Sequence, residues 1–77
     1  MNKTRRKEIE KAIGALEEIK ENIEGLQEEE QEAFDNMPEG LQDSERGEAV
    51  QENADQLDEA ATYIGDAIDL LQEVIDR

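Results

Sequence analysis

The sequence contains no cysteine, no histidine and no tryptophan, and it has one proline, one tyrosine and one phenylalanine in 77 residues. Without cysteine there is no disulfide to staple a small fold. Without cysteine and histidine there is neither a zinc site of the usual ligands nor a thiolate–imidazole pair for nucleophilic catalysis. Two aromatic rings supply no stacking platform for single-stranded nucleic acid. No apolar run is long enough to cross a bilayer. The basic N-terminus is not followed by an apolar stretch of the signal-peptide kind, so a cytoplasmic location is the expectation. The length allows a single domain with a small core, 1–77.

Charge is abundant and lopsided. There are 23 acidic and eight basic residues, a net charge of −15. Five of the cations, Lys3, Arg5, Arg6, Lys7 and Lys11, lie in the first eleven residues, and beyond them only Lys20, Arg46 and Arg77 remain. A body of this sign repels nucleic acids and anionic membranes and attracts basic protein surfaces. The expected partner is therefore a basic protein, with no direct nucleic-acid or membrane contact. Composition of this kind also suits a disordered chain, but the apolar residues are too regularly spaced for that.

Two stretches carry helical spacing. In the first arm, about 3–35, Ile9, Leu16 and Ile23 recur every seven residues, continued by Glu30 and Met37. Ala12, Ile19, Leu26 and Ala33 alternate with them, and Ile13 and Phe34 flank the stripe. In the second arm, about 44–76, Val50, Leu57, Ile64 and Leu71 alternate with Ala54, Ala61, Ile68 and Ile75, widened by Ala60, Ala67 and Val74. Alternating steps of four and three describe a coiled-coil seam. The hinge, 36–43, holds Pro38, which ends the first helix near Asn36. The fold expected is all-α, an antiparallel two-helix hairpin in which Ile9 lies level with Ile75, Ile23 with Ala61 and Phe34 with Val50. A lone hairpin leaves half of each broad stripe wet, so two hairpins are expected to pair as a homodimer, a four-helix bundle. Ile9, Leu16, Ile23, Leu57, Ile64, Ile68 and Leu71 are the expected seam. Salt should screen the repulsion between two such chains and firm the dimer.

Local signals fill in the ends. Thr4 is a candidate cap for the first helix, and Asp43 or Ser44 for the second. Asn36 with Glu39 suggests a capping box around a short turn, and Gly40 a left-handed exit. Arg46 is placed to pair with Asp35, Glu39 or Asp43, or else to touch a partner. Glu30 is either part of a splayed seam or a functional carboxylate. Phe34, Met37 and Leu41 are placed to close the hinge end. The interior glycines Gly14, Gly25 and Gly65 are either tolerated locally or mark the close approach of a partner backbone. A calcium loop beginning at Asp35 fails, because Arg46 stands where a bidentate glutamate is required.

The stretch Glu29-Glu30-Gln31, then Phe34-Asp35-Asn36-Met37-Pro38-Glu39-Gly40-Leu41-Gln42 and Ser44-Glu45-Arg46, resembles a family of short acidic proteins of Gram-positive gut bacteria and their phages or mobile elements. The resemblance covers roughly residues 28–48 and implies a helical hairpin and a phage origin. It implies no activity and no residue roles.

For function, the absence of histidine, cysteine and a glycine-rich phosphate loop argues against an enzyme, and no cofactor or metal is expected. Di-metal helical sites need Glu-x-x-His, and solvated carboxylates lack the burial that tunes acid–base groups. The leading expectation is a non-enzymatic protein-binding module in which rows of carboxylates mimic a phosphate backbone and inhibit a basic host or defence protein. Glu17, Glu21, Glu24, Glu28, Arg46, Tyr63 and Asp66 are the candidate contact residues, with Thr62 beside Tyr63. The alternative is a structural adaptor or chaperone-like bundle that docks through its apolar seam. A polar inter-subunit pocket for a small anionic ligand is a further alternative, with Arg46 or the N-terminal cluster as its cations.

Overall fold

A computed structural model describes all 77 residues. Two long helices, α1 (Lys3–Asp35) and α3 (Glu45–Asp76), run antiparallel against each other, joined through a single short turn of helix, α2 (Glu39–Gln42). The result is a rod of 58 × 15 × 13 Å. The expected all-α hairpin is what the chain forms.

The helix ends follow from local chemistry. Asn2, not Thr4, caps α1, and its side-chain oxygen accepts a hydrogen bond from the Arg5 amide at 2.8 Å. Thr4 is already helical, and a residue with helical φ/ψ cannot serve as the extended N-cap. Asn36 closes α1, its amide bonding back to Glu32 and Phe34 carbonyls. Pro38 takes the cap position of α2 with no side-chain cap bond, so the expected Asn36–Glu39 box does not form. The carbonyl of Pro38 instead accepts from the Leu41 and Gln42 amides. Gly40 lies within α2, and no residue of the chain has positive φ. The reversal is made by one helical turn between two extended caps, so a left-handed residue is not needed. Ser44 caps α3 by accepting from the Gly47 amide, with Glu45 and Glu48 in the first turn favoured by the helix dipole.

Gly47 is buried where α3 starts beneath α2. A Cβ at this position would overlap the backbone carbonyl oxygens of Leu41 and Gln42. Glycine is therefore what lets the short turn sit directly on the next helix. Gln42 ties the turn to α1 by donating to the Phe34 carbonyl at 3.0 Å. Phe34 and Met37 are half-buried at this end, while Leu41 stays 48% exposed.

The register matches the sequence pattern. Lys20 lies against Gly65, Gln31 against Gln51 and Glu30 against Asn53. Gln31 and Gln51 exchange amide hydrogen bonds in both directions, at 3.1 and 3.2 Å, and each also donates to an acid one turn on, Asp35 and Asp55. A reciprocal amide pair across a helix interface penalises slippage, since a shift would leave its donors and acceptors unpaired.

The phase of α1 differs from expectation in one respect. Its inward rows are Ile9–Leu16–Ile23–Glu30 and Ile13–Lys20–Gln27–Phe34. The row Ala12–Ile19–Leu26–Ala33, expected in the seam, is exposed. Ile13 and Phe34 enter the interface in this phase, while Ile19 and Leu26 stay open to solvent. Lys20 can join the seam because its stem lies over Gly65 while its ammonium reaches Glu24 at 3.1 Å.

Candidate functional site: two opposed faces of one hairpin

Two antiparallel helices leave two broad faces, and the contacts between them tell which residues share each. Leu26, Glu29 and Glu30 of α1 line one shallow groove with Asn53, Gln56 and Leu57 of α3. Gln31 with Gln51, and Lys20 with Gly65, meet on the other side of the seam.

The first face is apolar. Heptad spacing carries the Leu26 row through Ala12, Ile19 and Ala33, and the Leu57 row through Ile64 and Leu71. Ala60, Ala67 and Val74 lie beside the latter and are half-buried. Ile19 and Leu26 are about half exposed, at 46% and 51%, and Leu70 is 63% exposed at the edge. The groove near Leu26 and Leu57, of about 390 Å³, lies on this face toward the hinge.

The second face and the outer side of α3 are acidic. On α3, Glu45, Glu52, Glu59, Asp66 and Glu73 repeat every seven residues without interruption. Glu48, Asp55, Asp69 and Asp76 form a second row, broken once by Thr62. All nine of these carboxylate residues are exposed, and with Asp58 they are all the acids of α3. On α1, Glu10, Glu17 and Glu24 hold the matching edge, with Glu21, Glu28 and Asp35 on its outer side. The two α3 rows interleave at steps of three and four residues, placing a carboxylate about every 5 Å along roughly 45 Å of helix. Only two ion pairs form in the whole chain, Lys11–Glu8 at 3.6 Å and Lys20–Glu24 at 3.1 Å. The acidic charge is therefore almost wholly uncompensated within the molecule.

The individual candidate residues fall in different places. Glu17, Glu24 and Asp66 belong to the acidic side, with Glu21 and Glu28 on its outer edge. Arg46 stands in the first turn of α3 and makes no ion pair with Asp35, Glu39 or Asp43. Tyr63 is 63% exposed and donates its hydroxyl to Glu59 at 2.9 Å. That hydrogen bond, with the Glu59 charge and a smaller effect of Asp66, raises the Tyr63 pKa above its ordinary value of 10.0. Arg46 and Tyr63 are separated by about 25 Å along α3 and form no common site. Glu30 is half-buried and accepts from Asn53 at 3.3 Å, which gives it a place in the interhelical seam. The Gln31–Gln51 pair and Gly47 carry the hinge end, and residue types alone did not single them out.

No group of three or more acids converges at metal-binding spacing, and no helix is long and apolar enough to cross a membrane. Comparison with family models, with curated proteins and with solved structures found no match to this chain.

Proposed function

We propose that this chain is a non-enzymatic interaction module that offers its acidic face to a basic protein, in the manner of a nucleic-acid phosphate backbone. The observation that carries the proposal is the pair of exposed acidic rows on α3, collected on one face and left without internal cations. A linear array of fixed carboxylates on a helical rod meets the requirement for binding a groove built for phosphates. Each carboxylate pairs with a lysine or arginine and the associated small ions are released. The target class is a nucleic-acid-binding protein with a basic groove, and the effect of occupying that groove is inhibition.

The test separates a specific face from diffuse charge. One variant replaces Glu45, Glu52, Glu59, Asp66 and Glu73 with their amides, and a second replaces Glu8, Glu18, Glu29, Glu32 and Glu39, so both lose the same charge. Each is titrated into a basic DNA-binding protein already holding a fluorescent DNA duplex. Displacement by the native chain, lost by about tenfold or more in the first variant and kept in the second, is the expected result. Equal loss in both would reduce the effect to net charge and sink the proposal. Displacement by the native chain should also fall steeply as salt rises.

A second reading has its own observation in Ile19, Leu26 and Leu70, large apolar side chains left open on the other face. An adaptor that docks through them would bind with little dependence on salt, the opposite of the acidic-face behaviour.

A further inference from the structure

Independently of what the acidic face binds, we propose that the apolar face is covered by a second copy of this chain turned end for end, closing an antiparallel four-helix bundle.

The need for a cover is visible in the core. The buried apolar residues of one hairpin are Ile13, Ala54, Ala61 and Ile75, two of them alanines. Ordering a residue costs about 1 kcal/mol or more in conformational entropy, and helices in water draw most of their stability from packing. So small a core leaves the hairpin short, while Ile19, Leu26, Ile64 and Leu71 hold apolar surface in reserve on one side. A rod of 58 by 15 Å has a projected face of roughly 870 Å², comparable to the about 800 Å² that one partner of a standard stable interface contributes. Ala12 and Ala67 on that face allow close helix approach. The acidic rows of α3 are exposed on its outer side, away from the seam residues Ala54 and Ala61, so two copies meet with most of the α3 charge turned away from the interface.

Charge also selects the orientation. Residues 28–48 hold nine acids against the single cation Arg46, whereas the first eleven residues hold five cations. Side-by-side hairpins with hinges together would stack two such acidic ends. Turned end for end, the hinges separate to opposite ends of the bundle. Arg5, on the Ile19 row, then lies toward Glu29 and Glu30 of the second copy. The two-fold axis passes near Ile19. Ala12 and Leu26 are each seven residues from it, so Ala12 of one copy meets Leu26 of the other, and α1 packs on α1.

The test uses the full chain at physiological salt. Light scattering should return twice the 8.7 kDa chain mass. Ile19→Glu, at a position already half exposed in the hairpin, should weaken association by more than about tenfold, because it buries an unpaired charge at the interface. The chain has no native cysteine, so single-cysteine chains report orientation. Ile19→Cys should cross-link to itself, and Ala12→Cys should cross-link to Leu26→Cys chains and not to its own kind. This pattern decides the arrangement even where Ile19→Glu loses its helicity. A mass of one chain at all accessible concentrations overturns the proposal, as does a one-chain mass that rises only when a different protein is added. Cross-linking of Ala12→Cys to Leu71→Cys in place of Leu26→Cys overturns the end-for-end arrangement.

Discussion

At the scale of the residue, the hinge depends on an atom that is missing. Gly47 has the ordinary helical backbone of α3, so its value lies in the absence of a Cβ and not in conformational freedom. Alanine there would gain up to about 1 kcal/mol of helix propensity. It would also force two backbone carbonyls of α2 aside, an overpacking cost of about 1–3 kcal/mol. Because the obstructing atoms belong to backbone, the overpacking term should win. Gly47→Ala is expected to lower the thermal midpoint measured by circular dichroism, and an unchanged or raised midpoint would mean that α2 is not seated on α3. The contrast with Gly40 is instructive. Both glycines stand near the turn in sequence, but a side chain at Gly40 meets nothing within 4 Å.

At the scale of the element, each long helix carries features that disagree with maximal stability. Gly14 and Gly25 interrupt α1 where an added Cβ would also meet nothing within 4 Å. Both glycines are exposed and turned away from α3. The double substitution Gly14→Ala and Gly25→Ala should therefore stabilise the chain by about 1–2 kcal/mol in denaturant unfolding, with the oligomeric mass unchanged. A loss of stability would show that something approaches those glycines closely. Gly65 is different, since a Cβ there would press on the Lys20 stem at 3.1 Å. The N-terminus of α1 has no acid in its first turn and carries Lys3, Arg5 and Arg6 against the helix dipole. The Asn2 cap offsets part of that cost. The proposed end-for-end pairing would offer those cations an acidic counterpart that the hairpin alone does not supply.

At the scale of the whole molecule, the balance is between apolar burial and self-repulsion at a net charge of −15. Nearly every acid is exposed, so repulsion acts through solvent and is screened by salt. Raising salt from about 10 mM to about 150 mM shortens the Debye length from roughly 30 Å to roughly 8 Å, which is less than the width of the rod. Thermal stability and association should both rise over that interval, measured by melting curves and light scattering at each salt concentration. A flat response would mean that the acids are neutralised in some other way. The same salt should weaken binding of a basic protein at the acidic face, so the two faces are distinguished by the sign of their salt dependence.

Much of this was legible along the chain. Heptad steps of four and three specify helices, and two such stretches of matching length about a proline specify a hairpin with its level pairs. Charge content and the lack of histidine and cysteine depend on composition alone. The acidic rows of α3 are also written in the sequence as seven-residue repeats, one of them interrupted at Thr62. What only the tertiary structure decided was phase and contact. The row Ala12–Ile19–Leu26–Ala33 and the row Ile13–Lys20–Gln27–Phe34 both flank Ile9–Leu16–Ile23, and hydropathy favours the row that contains no lysine or glutamine. Lys20 nonetheless turns inward because Gly65 leaves room for its stem, and Gln31 finds Gln51 because the register brings their amides together. Such pairings join residues 20 to 45 positions apart, and a periodic pattern within one helix holds no information about its neighbour's surface. The exposed apolar face follows from that choice of phase, which is why it emerges only when the two helices are packed.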